Sequence, residues 1–143
     1  MRISLIISIV TIPFVGNIFA QQATEITVSL KTPDGKYIGQ VSGDGLDATA
    51  TTVSAKQTFG LIDLNGGKIA DGDKVKIRMD ASQWHENKEQ KLIHRVPMKG
   101  AKDEECVFIL KIKDKLNYFQ TPGGQFVKVD DIAVIATDEA KNA

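Results

Sequence analysis

Residues 84–88 form one polar segment that holds an aromatic ring, an imidazole, a carboxylate, an amide and an ammonium group. An indole ring offers a flat apolar face, and imidazole and amide groups make directional hydrogen bonds. We therefore predict a ligand-binding surface here. The side chains assigned to it are Trp84, His85, Asn87 and Lys88. The alternative interpretation, and the stronger one for Trp84 itself, is that the indole fills the core and the charges that follow it form a solvated face.

Groups that could carry out catalysis or hold a metal are few. His85 and His94 are the only histidines, and Cys106 is the only cysteine. A nucleophile needs a neighbouring base and a group that orients the base, and no Gly-x-Ser-x-Gly, His-Glu-x-x-His or phosphate-loop sequence is present. A zinc site would need added carboxylates, and the acidic turns at 43–45 and 71–73 lack the ligand pattern of a calcium loop. We predict a non-enzymatic protein without catalytic residues, metal or cofactor.

A repeat marks the elements that position these side chains. Residues 32–38, Thr-Pro-Asp-Gly-Lys-Tyr-Ile, return as residues 121–127, Thr-Pro-Gly-Gly-Gln-Phe-Val. Each copy joins a Pro-Gly turn to an aromatic strand, which is typical of a β-hairpin. Residues 74–79 alternate basic and apolar side chains with the period of a half-buried strand, and in this unit Trp84 is assigned to the aromatic position.

The repeated units begin at Ile26, Val75 and Leu116, and each predicts a set of short strands. The expected fold class is all-β, a β-trefoil of three pseudo-symmetric four-strand units. The last strand is predicted to be missing or irregular, because residues 137–143 are polar. A β-sandwich with coincidental repeats is the alternative. The residues expected to be buried together are Val28, Leu30, Phe59, Leu61, Val75, Ile77, Phe108, Leu110 and Phe119.

The first twenty residues have the features of a secretory signal peptide. Arg2 is their only charge, and an apolar run leads to the small residue Ala20. A proline and a glycine interrupt that run, which leaves less than the roughly 20 continuous apolar residues of a membrane span. We predict cleavage after Ala20, a single domain over residues 21–143, and a secreted, extracellular protein with no membrane span after signal removal.

Charge and cysteine content narrow the choice of partners. The chain has 18 basic and 18 acidic residues, so no nucleic-acid partner is predicted. Cys106 has no second cysteine to pair with, so stability must come from the core rather than from a disulfide. We place Cys106 at the start of a strand over residues 106–112, as a small buried hydrophobe, and expect a monomer.

Residues 35–38, 45–48 and 58–61 resemble the repeat of fascin-type, actin-crosslinking β-trefoils. Their sequences are Gly-Lys-Tyr-Ile, Gly-Leu-Asp-Ala and Thr-Phe-Gly-Leu. The resemblance covers most of residues 26–136 and involves core-filling positions, so it implies fold more than function. Fascin-type bundlers carry four trefoils in tandem in the cytosol, whereas this chain predicts one trefoil and a leader. In ricin-type lectins the motif is Gln-x-Trp, whereas here Gln83 and Trp84 are adjacent.

Three hypotheses of function follow. The favoured one is a secreted recognition domain whose loops bind carbohydrate or a host or cell-surface protein. The second is a secreted β-trefoil proteinase inhibitor, for which the charged loop at residues 97–105 is a poor match. The third is a fascin-like actin-binding module, which would require the leader to remain uncleaved or the protein to re-enter a cell.

Overall fold

Short antiparallel strands make up most of the chain in a computed structural model that describes residues 6–10, 23–114 and 116–138. The predicted all-β class is confirmed. Helical structure in these ranges is limited to a 3-10 turn at Ala55–Gln57 and a one-turn helix, α1, at Asp103–Cys106. The strands are β1 Ile6–Val10, β2 Thr24–Lys31, β3 Tyr37–Gln40, β4 Leu46–Ala50, β5 Phe59–Asp63, β6 Lys74–Met79, β7 Ser82–Asn87, β8 Leu92–Pro97, β9 Phe108–Lys113, β10 Leu116–Gln120, β11 Phe126–Asp130 and β12 Ala133–Thr137.

Alternating burial explains why these segments are strands. In β6, Val75, Ile77 and Met79 are buried, whereas the intervening basic residues lie nearer solvent. Successive side chains of a strand point to opposite faces, so this pattern covers one face of the sheet with core residues and the other with charges. β5 has the same alternation, with Phe59 and Leu61 in the core.

The twelve strands form one hydrogen-bonded sheet in which six strands run side by side. β2 pairs with β5, β5 with β6, β6 with β9, and β9 with β10, all antiparallel. β1 pairs with the other side of β2, from Ile6 opposite Lys31 to Val10 opposite Thr27, and approaches β10. β1 lies in the predicted leader, so removal of the leader would leave residues 27–31 of β2 without this partner.

The other six strands form three hairpins, β3–β4, β7–β8 and β11–β12, which meet one another. β12 makes the junction, because Ala133 pairs with Asp47 of β4 and Ile135 with Leu92 of β8. The three hairpins thus meet through their second strands, β4, β8 and β12, whereas their first strands pair with β2, β6 and β10.

The core contains all nine residues predicted for it, each no more than 1 % exposed. Trp84 lies at its centre with no exposed surface. Its ring packs edge-on against Phe59, Phe108 and Phe119, with centroid separations of 5.5, 6.1 and 6.0 Å. Edge-to-face aromatic pairs of this kind add stability beyond the apolar area that they bury.

The strand register places Trp84 one position away from the aromatic position that we assigned to it. Lys31 pairs with Tyr37, Arg78 with Gln83, and Gln120 with Phe126. Gln83 is therefore the counterpart of the two aromatic residues, which are only half-buried. The assignment of Trp84 to their position is wrong, because Trp84 occupies the next position. The three residues at that next position, all without exposed surface, are Ile38, Trp84 and Val127.

The Thr-Pro-x-Gly repeat has the same geometry in both copies. The amide of Thr32 donates to Lys36 O at 2.7 Å, and that of Thr121 donates to Gln125 O at 2.7 Å. In both turns the threonine hydroxyl accepts from the same downstream amide. The glycine at the fourth position of the turn has a φ of +88° at Gly35 and +89° at Gly124, a conformation that favours glycine. The repeated sequence therefore encodes a repeated turn.

Three element boundaries differ from the predictions. Cys106 is buried, as predicted, but it ends α1 instead of starting a strand, and β9 begins at Phe108. Acidic residues stabilise the N-terminus of a helix, and α1 begins with acidic residues. The alternating pattern of residues 106–112 predicted a strand and gave no sign of this helical turn. The Thr- and Ala-rich sequence of residues 46–53 predicts a strand over that whole range, but β4 ends at Ala50. Of the predicted irregular tail, Thr137 ends β12, and residues 139–143 lie outside the described ranges.

Burial of Cys106 leads to a direct prediction. Burial raises the pKa of its thiol to about 11, so almost none of the reactive thiolate forms at neutral pH. The native protein is expected to resist a thiol-alkylating reagent and to react fully once unfolded. Cys106→Ser should run as a monomer on non-reducing electrophoresis, as should the parent. A reducible dimer of the parent, or fast alkylation in the native state, would contradict the burial of this thiol.

Candidate functional site

The four predicted ligand-binding residues lie on the β7–β8 hairpin but do not share one surface. Trp84 is enclosed in the core and has no face to offer a ligand, as the core interpretation states. The side-chain oxygen of Asn87 accepts a hydrogen bond from the backbone amide of Gln90 at 2.9 Å and thereby holds the β7–β8 turn. Lys88 is exposed, and His85 is half-buried. Ligand binding by these residues stays a prediction, with Lys88 the most accessible of the four.

Glu86, which lies between these residues, joins the second unit to the third. Its side chain is buried, and its Oε1 accepts a hydrogen bond from the Gly123 amide at 2.6 Å. A Cβ at position 123 would lie 2.9 Å from that oxygen. The sequence holds a signal for this contact, although the contact was not predicted. The two copies of the turn differ where Asp34 is replaced by Gly123, and the smaller residue leaves room for the carboxylate.

His85 and His94 lie directly opposite each other on β7 and β8. His85 Nδ1 is 2.8 Å from His94 Nε2, and the rings meet edge-on. A carboxylate lies at each end of this pair. His85 Nε2 is 2.7 Å from Glu105 Oε2, and His94 Nδ1 is 3.0 Å from Asp44 Oδ2. We call these four residues the imidazole chain. Residues 103–106 supply one end of it and the 43–45 turn supplies the other.

Both carboxylates of the imidazole chain favour their ionised form. The hydrogen bond from His85 lowers the pKa of Glu105, and the hydrogen bond from His94 lowers the pKa of Asp44. A hydrogen bond to a carboxylate stabilises its charge, so both groups remain acceptors at neutral pH. Both histidines stand out in the sequence, but His94 was assigned no partner there, because neither carboxylate is near it along the chain.

Arg95 fixes the 43–45 turn from the neighbouring position on β8. Its guanidinium donates to Gln40 Oε1 at 2.7 Å, to Val41 O at 3.1 Å and to Gly43 O. Its backbone amide donates to Asp44 O at 2.8 Å. A guanidinium presents its donors in a fixed planar arrangement, so several carbonyls bound to one group hold the turn in one conformation.

An open depression with a volume of ≈ 400 Å³ lies beside this turn. Most of its lining is apolar, but the lining includes two aspartates, Asp44 of the imidazole chain and Asp80, and we call these two residues its rim. Asp80, on the rim, adopts a φ of 52° at the tight β6–β7 turn. No aromatic ring lines the depression. The lining residues are Gly43, Asp44, Met79, Asp80, Ala81, Ser82, Arg95, Val96 and Pro97.

The depression shows no arrangement suited to nucleophilic catalysis. The Ser82 hydroxyl donates to Met79 O at 2.8 Å, and neither histidine lines the depression with it. Across the residues with assigned structure, no group of three or more histidine, cysteine, aspartate or glutamate side chains could hold a metal ion. Within the same ranges, no helix has the length and apolar character needed to cross a membrane.

A comparison with protein-family models gives no match for this chain, and a search of curated proteins finds no significant relative.

Proposed function

We propose that the chain is a secreted, non-enzymatic recognition domain with a fascin-like β-trefoil fold. Two observations support the trefoil. Five neighbouring strands outside the predicted leader are accompanied by three hairpins that meet one another, and equivalent positions recur in all three units. The sixth neighbouring strand, β1, lies in the predicted leader and does not count toward the secreted domain. Those positions are the Lys31–Tyr37, Arg78–Gln83 and Gln120–Phe126 pairs. Secretion is supported by the character of the first twenty residues.

The depression between the 43–45 turn, residues 79–82 and residues 95–97 carries the proposal for binding. It combines a mostly apolar lining with hydrogen-bonding groups, and Arg95 holds the 43–45 turn, which forms one wall, in place. Binding surfaces of this kind gain affinity from apolar burial and specificity from a few fixed polar groups. A wall that is already ordered loses little entropy when the ligand arrives.

The ligand that fits this surface best is an extracellular protein that presents a basic side chain beside a small apolar one. The Asp44 and Asp80 carboxylates at the rim would accept hydrogen bonds from a lysine or arginine. Carbohydrate is the weaker candidate, because the one tryptophan is buried and no ring is available here for a sugar face to stack on. A proteinase inhibitor is also a weaker candidate, because it needs a protruding loop. Glu105 and Asp103 instead hold α1, at the end of the 97–105 loop, against the sheet.

The test uses the protein exported by a secreting host, with its N-terminus established by mass spectrometry. It is applied to three probe sets: a glycan array, a panel of proteases and an array of extracellular protein ectodomains. We expect binding to at least one ectodomain, with no inhibition of the proteases. Ala81→Arg places a long cation in the depression, where Asp44 and Asp80 can pair with it, and should weaken that binding more than about tenfold. The matched control is Ala55→Arg, an exposed alanine outside the depression.

Equal binding by the two arginine variants would place the recognition surface elsewhere. Binding confined to glycans would contradict the choice of a protein ligand, and inhibition of a protease would favour the inhibitor hypothesis. Chemical conversion of any probe would contradict the assignment as a non-enzymatic protein.

A further inference from the structure

We propose that the imidazole chain of Glu105, His85, His94 and Asp44 is a pH-dependent series of hydrogen bonds that connects the 43–45 turn and α1 to the β7–β8 hairpin. We call this series the fastener. It is complete with three ring protons, lacks one of its three contacts with two, and is broken in the middle with four. The basis for this inference is the geometry of three side-chain contacts in a row, at 2.7, 2.8 and 3.0 Å.

The proton count follows from the donors that are available. Each of the three contacts needs one proton, and ionised carboxylates supply none. Two neutral imidazoles carry two ring protons in total, so one of the three contacts then has no proton. If His85 donates to Glu105 and His94 donates to His85, the remaining nitrogen of His94 presents a lone pair to the Asp44 carboxylate. One additional proton on the pair completes all three contacts.

A fourth proton has the opposite effect. His85 Nδ1 and His94 Nε2 would then both carry hydrogen, and two positively charged rings would face each other across 2.8 Å. Like charges at that separation repel, and neither nitrogen could accept a hydrogen bond. The contact between β7 and β8 side chains would therefore break while the two outer contacts remain.

Charged groups on every neighbouring element act on this equilibrium. Glu105 of α1 and Asp44 of the turn favour a cation on the pair. Lys88 and Lys102 lie close enough to Glu105 to act on its charge, and Arg95 does the same for Asp44. On the β6 side, Lys76 and Asp103 form an ion pair at 2.7 Å and largely cancel each other. Imidazole is the side chain that ordinarily changes charge between pH 5 and 8, so the test is run across that interval.

The two ends of the chain respond differently. Glu105 belongs to α1, which the buried Cys106 and the ion pair between Lys76 and Asp103 also hold. The Asp44 side chain is 71 % exposed, so water can replace its imidazole partner. Loss of a proton should therefore release Asp44 first, while Arg95 keeps the backbone of the turn in place.

The test follows the imidazole rings and the amides of Gly43 and Gly45 by NMR between pH 8 and 5 in the full chain. The two histidines are expected to titrate as one coupled pair in two steps. The glycine amide shifts should move with the first proton gained. Asp44→Asn, a change at an exposed side chain, should abolish most of that movement. Asp47→Asn, a control at a nearby half-buried carboxylate on β4, should preserve it.

Single, independent titration steps for the two rings would overturn the proposal, as would glycine shifts that move equally in Asp44→Asn. His94→Gln gives a second check that does not depend on the turn. In that variant His85 should titrate in a single step, and a remaining two-step titration would contradict pairing with His94.

A consequence for binding rests on the proposed function. Asp44 is part of the rim, so affinity for an ectodomain identified in the array should change across the same pH interval in the parent but not in Asp44→Asn. If the rings and glycine amides titrate as expected while the affinity is independent of pH, the fastener stands and the choice of the depression as the binding surface is wrong.

Discussion

Replacement of Phe108 by alanine is expected to leave a protein that is largely unfolded or insoluble at 37 °C. Phe108 has no exposed surface and packs against the ring of Trp84 at 6.1 Å. Truncation of a buried phenylalanine costs about 3–5 kcal/mol, and the whole stability of a domain of this size is about 5–15 kcal/mol. Urea unfolding followed by Trp84 fluorescence reports the loss directly, because the indole lies at the centre of the affected cluster.

Phe126→Ala is the matched control. Phe126 is also aromatic and belongs to the sequence repeat, but it is half-buried and packs beside Tyr118 with a centroid separation of 5.6 Å. Its truncation should cost clearly less than that of Phe108. A Phe108→Ala protein that melts within a few degrees of the parent, or a larger loss at Phe126, would show that the core is assigned wrongly.

Asp63→Asn is expected to stabilise the protein at pH 8 by about 1–3 kcal/mol. Asp63 is 1 % exposed, and burial, followed by the neighbouring Asp73 carboxyl, raises its pKa from 3.8 to about 6. Its Oδ1 accepts a hydrogen bond from the backbone amide of Asn65 at 2.9 Å, whereas its Oδ2 has no hydrogen-bond partner. An asparagine retains the acceptor and adds a donor toward Asp73.

The direction of the pH dependence follows from the raised pKa. Between pH 3.8 and about 6 the folded state binds more protons at Asp63 than the unfolded state does. The contribution of Asp63 to the free energy of unfolding therefore falls as the pH rises through that window, and a shift of this size corresponds to about 3 kcal/mol. The difference in stability between Asp63→Asn and the parent should be smallest below pH 4 and reach its full value above pH 6.

Asp71→Asn serves as the control for this pair of measurements. Asp71 is an exposed neighbour whose Oδ1 accepts from the Ile112 amide at 2.8 Å, a hydrogen bond that asparagine can also make. Its replacement should change the stability little at any pH. A destabilised Asp63→Asn protein at pH 8, or an equal gain from Asp71→Asn, would contradict a buried carboxyl that is costly to ionise.

The sequence predicted the strands and the core because both depend on local patterns. Alternation of apolar and basic residues along β6 determines which face is buried, and the repeated turn at Thr32 and Thr121 determines where the chain reverses. The position of Trp84 was missed by one residue. In a strand, a shift of one residue exchanges the two faces, and only the pairing of Arg78 with Gln83 fixes that choice.

The candidate site was harder to predict because its partners are distant in the sequence. Asp44 and Glu105 meet His94 and His85 only after three separate segments come together. The apposition of the two histidines depends on the register of the β7–β8 hairpin, which the sequence does not display. The contact between Glu86 and Gly123 is predictable from the sequence in principle, because the two copies of the repeat differ at that glycine.

The most direct test of the proposed recognition surface compares three variants against the same ectodomain array. Ala81→Arg blocks the depression, Lys88→Glu alters the exposed side chain that the sequence pattern assigned to a ligand, and Ala55→Arg changes neither. We predict that binding is lost in Ala81→Arg and retained in the other two. Loss in Lys88→Glu with full binding by Ala81→Arg would contradict the depression and place recognition on the β7–β8 turn.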